Sequence, residues 1–434
     1  MTKQTLTTVV SPTAEPNATW NFWVNVLDIV FFTLGASIVA RDTVMPALVS
    51  KLTDSKMALG LIPAISSLGF YLPQLFIANL SERMRYKKPF VMWIGGLVER
   101  LPFLLIALAI WFLGASSPAI TLTFFFFLLV MTSFGSGIGT PAWFDIIAKV
   151  IPVQRRGFWS GLSHGLGALI GAGGALYFGQ VLDRINFPLN FAILFTIAFA
   201  MLVISFIGLA LNREPPSTVV KESIPLARYL SQLPEVLSRD ANYRRFLLSR
   251  TTVQLGTMGV GFFMAYGLSR FQIDGVTVGR LTAAQVFTVA VMNLVWGLIG
   301  DRFGHKRVLG AAAFAMALAA LMAWASSSLI WMAVTFALVG VYVAADGVSA
   351  LNIILEFCAE EDRPTYIGLT NTLLAPVLII APLLGGWLAG RIGYSNLFLI
   401  AAFFAAIGGL MMSFWVREPR FHGKVGGEGD KVKG

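Results

Sequence analysis

The sequence predicts an all-α membrane protein of twelve transmembrane helices, arranged as two pseudo-symmetric six-helix bundles. Three observations predict it: apolar runs of membrane-spanning length, a lopsided placement of basic residues, and a second half that repeats the first. The 434 residues are 56% hydrophobic and 12% charged, against roughly 25% charge in soluble domains. A soluble protein with buried helices would carry charged faces between its apolar runs, and those are missing here.

Runs of about 20 apolar residues, enough to cross a hydrocarbon core, fall near 21–41, 57–79, 89–113, 120–146, 158–181, 189–211, 246–269, 281–300, 308–325, 330–357, 366–388 and 395–416. The first follows a Thr-rich polar stretch, Met1 to Asn21, without a basic region leading into a short apolar one. No cleavable signal peptide is expected, and the first helix itself directs insertion. Between the sixth and seventh runs lies a segment too polar to span, opened by Glu214-Pro215-Pro216-Ser217. It reads as a cytoplasmic linker with an interfacial helix near Leu226–Leu237. The expected organisation is a bundle over 1–211, a linker over 212–245, and a bundle with its tail over 246–434.

Basic residues orient the chain. With the N-terminus in the cytoplasm, 23 of the 32 Lys and Arg fall on cytoplasmic segments and 7 on outer loops. That is a strong positive-inside signal, and it predicts a multi-pass protein of the cytoplasmic membrane with both termini inside. Because the +10 net charge is spread over short loops, it excludes a nucleic-acid partner. The one cysteine, Cys358, excludes an intramolecular disulfide. Three scattered histidines, His164, His305 and His422, build no metal cluster. No cofactor is expected.

The repeat is visible in a loop. Gly297-Leu298-Ile299-Gly300-Asp301-Arg302-Phe303-Gly304-His305-Lys306-Arg307 joins the eighth and ninth runs, and Ala78-Asn79-Leu80-Ser81-Glu82-Arg83-Met84-Arg85-Tyr86-Lys87-Lys88 joins the second and third. Each has a small residue, an acid followed by Arg, and a basic tail. In the first copy Ala78 replaces Gly, Glu82 replaces Asp, and Arg85 stands where the second Gly belongs. An offset of 207 residues pairs Asn352 with Asp145, Arg363 with Arg156, and Gly368 with Gly161. An offset of 210 pairs Ser326 with Ser116, each shortly after a Trp (Trp324 and Trp111). Repeats of this kind are related by an axis along the membrane normal.

The second loop resembles the pattern G-x-x-x-D-R-x-G-x-K/R of the major facilitator superfamily. The resemblance implies a secondary transporter whose two bundles rock about a site near the bilayer midplane. It implies that the first, fourth, seventh and tenth helices line the cavity. It further implies that Asp301 and Arg302, with Gly297 and Gly304, latch the cytoplasmic side, with Glu82 and Arg83 as the weaker counterpart. Gly297 is expected to allow close packing. Proton-coupled drug antiporters of the superfamily carry G-P-x-x-G-G in helix five; here helix five has Gly161, Gly165, Gly167, Gly171, Gly173 and Gly174 without the Pro. The closest match is Ala381-Pro382-Leu383-Leu384-Gly385-Gly386 in helix eleven. Packing explains these residues as well as antiport does.

Ionisable groups at bilayer depth are functional candidates. Asp28 and Asp346 lie on cavity helices without a local basic partner, so they are candidates for a proton or a cationic substrate. Asp145 sits near Lys149, Arg155 and Arg156, where an ion pair and a substrate role are equally open. Glu99 and Arg100 are expected to form structural ion pairs with different neighbours. His164, the one His within a span, reads as an interhelical hydrogen-bonder ahead of a proton relay. Asn25, Phe32, Tyr71, Gln74, Gln254, Tyr266 and Asn352 complete the cavity candidates. Gln254, Met258 and Phe262 recur every four residues on one stripe, more often packing than a ligand surface.

Few basic groups in such a cavity argue against a phosphorylated substrate. Aromatics and Met beside acids suit a hydrophobic or cationic organic molecule. The leading expectation is therefore proton-coupled efflux from a monomer in the lipid bilayer. Uptake of a small metabolite such as a sugar or nucleoside is the alternative. A non-transporting chaperone or receptor for a lipophilic ligand is the rival of another class. No enzyme is expected: Gly165-x-Gly167 lacks a third Gly and a preceding strand, and Ser160 and His164 lack a third partner.

Overall fold

Hydropathy and helix propensity make long helices of this chain, and a computed structural model shows where they go; it describes residues 17–82, 84–216, 237–238, 240–358 and 363–419. Of the expected interfacial helix near Leu226–Leu237 all but Leu237 lies outside the described residues, as does Arg83 of the first loop copy. The first half comprises α1 (Ala18–Ile38), α2 (Val44–Leu52), α3 (Lys56–Glu82), α4 (Lys88–Trp93), α5 (Leu101–Leu113), α6 (Pro118–Val150), α7 (Val153–Arg184) and α8 (Leu189–Ala210). A π-helical turn, Ile94–Arg100, splices α4 to α5 into one span. The second half comprises α9 (Ala241–Gly256), α10 (Val260–Phe271), α11 (Gly275–Phe303), α12 (His305–Trp324), α13 (Leu329–Glu356) and α14 (Arg363–Leu410).

Among the described residues ten segments are long and apolar enough to cross a membrane. The seventh expected span is not among them, because a 3-10 turn at Thr257–Gly259 divides it into α9 and α10. The eleventh and twelfth appear as one continuous α14, parted at Gly393, whose φ of +82° only glycine adopts freely. Twelve crossings in two six-helix bundles result. The seventh span starts at Ala241 rather than near 246 because Asp240 accepts a 2.8 Å hydrogen bond from the Tyr243 amide, capping the helix early. The short α2, after the first crossing, was not expected.

Each bundle closes its own ends with the same device. Asn21, at the start of α1, accepts from the Arg213 amide at 2.9 Å and donates to the Arg213 carbonyl at 3.1 Å. Asn242, at the start of α9, does the same to Arg417 at 2.8 and 2.9 Å. These clamps put the start of the first helix and the end of the sixth, in each half, on one face of the molecule.

At the opposite face the halves meet. Thr282 bonds Thr43 at 2.7 Å, Gln285 donates to Asp42 at 2.8 Å, and Lys56 donates to the Ala389 carbonyl at 2.9 Å. Here α7 and α11 touch backbone to backbone: a Cβ added at Gly179 would sit 2.9 Å from the Gly279 Cα, and one at Gly275 only 2.5 Å from the Asp183 amide. Eighteen residues further along both helices, about 27 Å at 1.5 Å per residue, Gly161 and Gly297 face nothing within 4 Å. The same antiparallel pair is therefore jammed at one end and splayed at the other. Gly297 does not provide the close packing expected of it, because the halves stand apart at its end.

The Asp274 carboxylate caps α11 at the sealed face, accepting from the Thr277 amide at 2.8 Å. That hydrogen bond holds its pKa below the usual carboxylate range. A depressed carboxylate contributes stability above its unfolded pKa and loses it as pH falls through the folded value. Asp274→Ala is expected to cost about 1 kcal/mol, the usual worth of a cap. In thermal unfolding the gap to the parent should hold at neutral pH and close under strongly acidic conditions.

Candidate functional site

The wedge between the halves encloses a central cavity of about 790 Å³. Tyr71 and Gln74 reach it from α3, Arg250 and Gln254 from α9, and Tyr342 and Asp346 from α13. The Tyr342 hydroxyl donates to Gln254 at 3.3 Å, and Met258 lines the wall. Phe262, third on the same stripe, is fully buried in the core. The stripe thus begins as cavity wall and ends as packing. Asp42, unremarked in the sequence, also lines the cavity.

Asp346 is not alone there. Arg250 donates to it at 2.6 Å, with side chains 5% and 32% exposed respectively. The expectation of an unpartnered acid fails because the partner comes from the seventh crossing, ninety-six positions away. The same holds for Asp28. Its carboxylate accepts from Ser205 at 2.6 Å and lies 3.6 Å from Arg100. Arg100 also donates to Ser205 at 3.1 Å and to Glu99 at 2.8 Å.

Glu99 and Arg100 therefore bind each other, where different neighbours were expected. The π turn is the reason. Wider than an α turn, it lets the guanidinium fold back to the Gly95 carbonyl at 3.1 Å, in space a Gly95 Cβ would fill to 2.9 Å from Nη1. Such turns recur at functional sites. Phe32 and Phe206 rings flank the guanidinium at 5.5 and 5.8 Å.

This triad opens on a second space, a chamber of about 310 Å³ inside the first bundle, walled by Phe32, Phe70, Trp143, Phe144 and Trp159. Chamber and central cavity are alike in charge. The cavity has Asp42 and Asp346 against Arg250, and the chamber Asp28 and Glu99 against Arg100. The sequence reading counted too few basic groups, since Arg41 also faces a neighbouring recess. Each of the two main spaces nevertheless holds one carboxylate more than its arginines.

Other candidates lie elsewhere. Asp145 belongs to an ionic lattice at the splayed end, paired with Lys87 and, at 3.1 Å, with Lys149. Arg156 bonds the Ile151 and Ala148 carbonyls instead. Asn25 is buried in a reciprocal amide pair with Asn212, both bonds 2.8 Å. Tyr266 packs among Phe271, Tyr394 and Phe398. Asn352 is exposed and bonds back to the Val348 carbonyl of its own helix. The Pro382 to Gly385 stretch packs on α3 and α9–α10: Cβ atoms at Gly60 and Gly385 would collide with the Pro382 and Met258 carbonyls. Packing accounts for that element.

In the loop copies, Asp301 and Arg302 are exposed, and the Phe303 ring lies between Arg302 at 5.2 Å and Arg307 at 5.9 Å. Gly304 has φ +93° and abuts the Glu418 carboxylate, which leaves no room for a Cβ. In the first copy the backbone of Glu82 ends α3. The Lys87 and Lys88 amides, at 2.9 and 2.8 Å, and Lys149 at 2.9 Å hold Glu214. Glu214 and Glu418 stand in equivalent triplets, Arg213-Glu214-Pro215 and Arg417-Glu418-Pro419. This duplicated triplet was legible and was missed; it marks the exit of each bundle.

With this geometry established, relatives can be placed beside it. A model described as Major Facilitator Superfamily matches residues 29–269 and 246–433, and the chain belongs to that family. The family points to a transporter rather than an enzyme, and its members bind small-molecule substrates. It is 28% identical over 172 residues to the class B tetracycline resistance protein of Escherichia coli, covering 38% of this chain and 42% of that one. It is 30% identical over 144 residues to a Na(+), Li(+), K(+)/H(+) antiporter of Planococcus maritimus, covering 32% and 33%. The chain thus spans less than half the length of either curated relative. The solved nucleoside transporter NupG shares the fold, with a TM-score of 0.69 at 10% identity over 91% of this chain and 98% of its own.

Arg250→Ala leaves the half-buried Asp346 without its cation and is expected to cost about 1–3 kcal/mol. The double variant Arg250→Met with Asp346→Leu should recover most of the thermal stability in detergent without recovering transport. Equal loss of stability in single and double variants would show that the pair is not the coupled unit.

Proposed function

We propose that the chain is a proton-coupled secondary transporter that exports small hydrophobic or cationic organic molecules by alternating access. One observation carries the reading: a cavity shared by both halves, sealed at one face, splayed at the other, and short of one positive charge. Aromatic walls and an excess carboxylate attract an organic cation. The same carboxylate can take a proton instead, so proton and substrate compete for it. Relatives whose names speak of tetracycline resistance and of cation/proton antiport lend support. The protein sits in the cytoplasmic membrane as a monomer with both termini inside, as the basic loops favour, and is organised as 1–211, 212–245 and 246–434. The structure is then the inward-open state.

A second reading, uptake of a polar neutral metabolite such as a sugar or nucleoside, draws on the amide and hydroxyl groups of Gln74, Gln254, Tyr71 and Tyr342 around the cavity. Tetraphenylphosphonium in reconstituted vesicles separates the two. An acid exterior gradient should drive it out from the cytoplasmic side, and Asp28→Asn or Asp346→Asn should abolish the drive while passive exchange persists. Drive unchanged in both single variants and the double variant would remove these acids, and sodium dependence alone would sink the proton. Ligand binding with no flux of any substrate would favour the receptor.

We assign Asp301, Arg302, Gly297 and Gly304, with Glu82 and Arg83 as the lesser pair, to the gate at the splayed end. Asp301→Asn is then expected to slow turnover roughly tenfold, about 1.4 kcal/mol of barrier, with ligand affinity within twofold. Glu82→Gln should do less. Loss of affinity in step with turnover would count against the gate.

A further inference from the structure

The chamber in the first bundle is not closed on itself. On α7, Ser160 and His164 line both the chamber and a cleft of about 500 Å³ where α7 and α11 splay apart. His164 is exposed, and among the described residues its ring makes no hydrogen bond to protein, so it is not the satisfied interhelical bonder the sequence favoured. Gly161 and Gly165, on either side, have nothing within 4 Å of a Cβ position, so the ring has room to turn.

The chamber interior needs water. Trp159 Nε1 and Arg100 Nε are buried donors with no acceptor among the described residues, in residues about 5% exposed. Unmet donors of this kind cost free energy unless solvated. At about 30 Å³ per molecule the chamber takes on the order of ten waters. The groups facing His164 are Asp28 from α1 and Glu99 and Arg100 from the π turn on the chamber side. On the cleft side α11 offers Asn293 and α13 offers Gly347 and Val348, none of them charged.

We infer that His164 is the port through which protons pass between the Asp28–Glu99–Arg100 triad and the cleft. This rests on the proton-coupled reading above. A carboxylic acid at Asp28 or Glu99 gives its proton, through chamber water, to the neutral imidazole; the carboxylate left behind stays paired with Arg100. The imidazolium gives the proton to water in the cleft and returns to neutral. Histidine suits the task because its charge changes near neutral pH, and its place at the boundary lets one ring turn between two wet spaces. It is a positioning residue for the proton and touches no substrate in the central cavity.

The test uses the full chain in vesicles, with tetraphenylphosphonium as the probe. His164→Gln should slow proton-driven flux by roughly tenfold or more, the low side of what a positioned proton-transfer group contributes. The Kd for the probe should stay within twofold, and the pH dependence of the driven rate should flatten between about pH 5 and 8. Imidazole added to the cleft side should restore the rate, which no structural role would produce. Unaltered driven flux, or loss without imidazole rescue, overturns the port while leaving proton coupling in place. Absence of any proton drive in the parent removes both. Should His164→Gln fail to fold, diethyl pyrocarbonate on the folded His422→Gln chain reports instead, since His305 is 3% exposed. Loss of drive reversed by hydroxylamine supports the port, and retained drive refutes it.

Discussion

A charge held at bilayer depth must have a partner, and much of this structure answers to that one constraint. An unpaired carboxylate or guanidinium in hydrocarbon costs several kcal/mol by most accounts. The chain places Asp28, Glu99, Arg100, Arg250 and Asp346 within its crossings and gives each an opposite charge, within the π turn for Glu99 and across helices for the others. The first, third and sixth crossings converge on Arg100; the seventh and tenth converge on Asp346. Pairing of this sort is weak evidence for stability, because apolar residues of like volume often do as well. What it supplies here is chemistry: acids kept in the membrane beside an arginine, as the proposed proton coupling requires.

The same economy appears at the bundle ends. Glu214 sits on the amides that open α4, where the helix dipole favours an anion, and Lys149 bridges it to Asp145. The linker is thereby tied to the loop between the second and third crossings and to the fourth. Any rocking of the first bundle carries this knot with it as a rigid corner. The second bundle has Glu418 against Gly304 in the corresponding place.

How much of this could be read beforehand divides along a physical line. The crossings were legible because hydropathy is a local property of the chain, and the shift from 246 to Ala241 or the unexpected α2 changes little. The loop repeat was legible because it is contiguous. Partnerships were not. Arg250 and Asp346, or Asp28 and Arg100, are far apart in sequence, and helical spacing sees only neighbours. The two halves do not repeat these pairs, which join first to third in one bundle and seventh to tenth in the other, so symmetry could not supply them either. Glu99 and Arg100 were misjudged for a further reason: the π turn changes which way adjacent residues point, and no residue pattern announced it. Asn25 and Tyr266 show the converse error, residues on cavity helices whose side chains go elsewhere, one to pair with Asn212 and the other to pack on Phe271, Tyr394 and Phe398.

The contacts that seal the molecule explain why it can move. Three hydrogen bonds, close glycine contacts and an apolar cluster with residues from both halves join them at the closed face. Each hydrogen bond is worth about 0.5–1.5 kcal/mol net, and each can be exchanged for water on opening. The glycine contacts bring the two backbones together at Gly179 and Gly279, and under the alternating-access reading they mark the axis of rocking. One apolar cluster lies wholly within the first half and two within the second, while the largest holds residues of both, among them Leu48 and Phe262. Under the alternating-access reading, the halves rock about the glycine contact, and the part of the shared apolar cluster at the closed face must separate as that face opens. The triad lies wholly within the first bundle and the Arg250–Asp346 pair wholly within the second, so neither need break during that motion. On the proton-coupled reading proposed above, a proton taken up at the triad is carried through that motion intact, and exchange with water is left to His164 at the edge of the cleft.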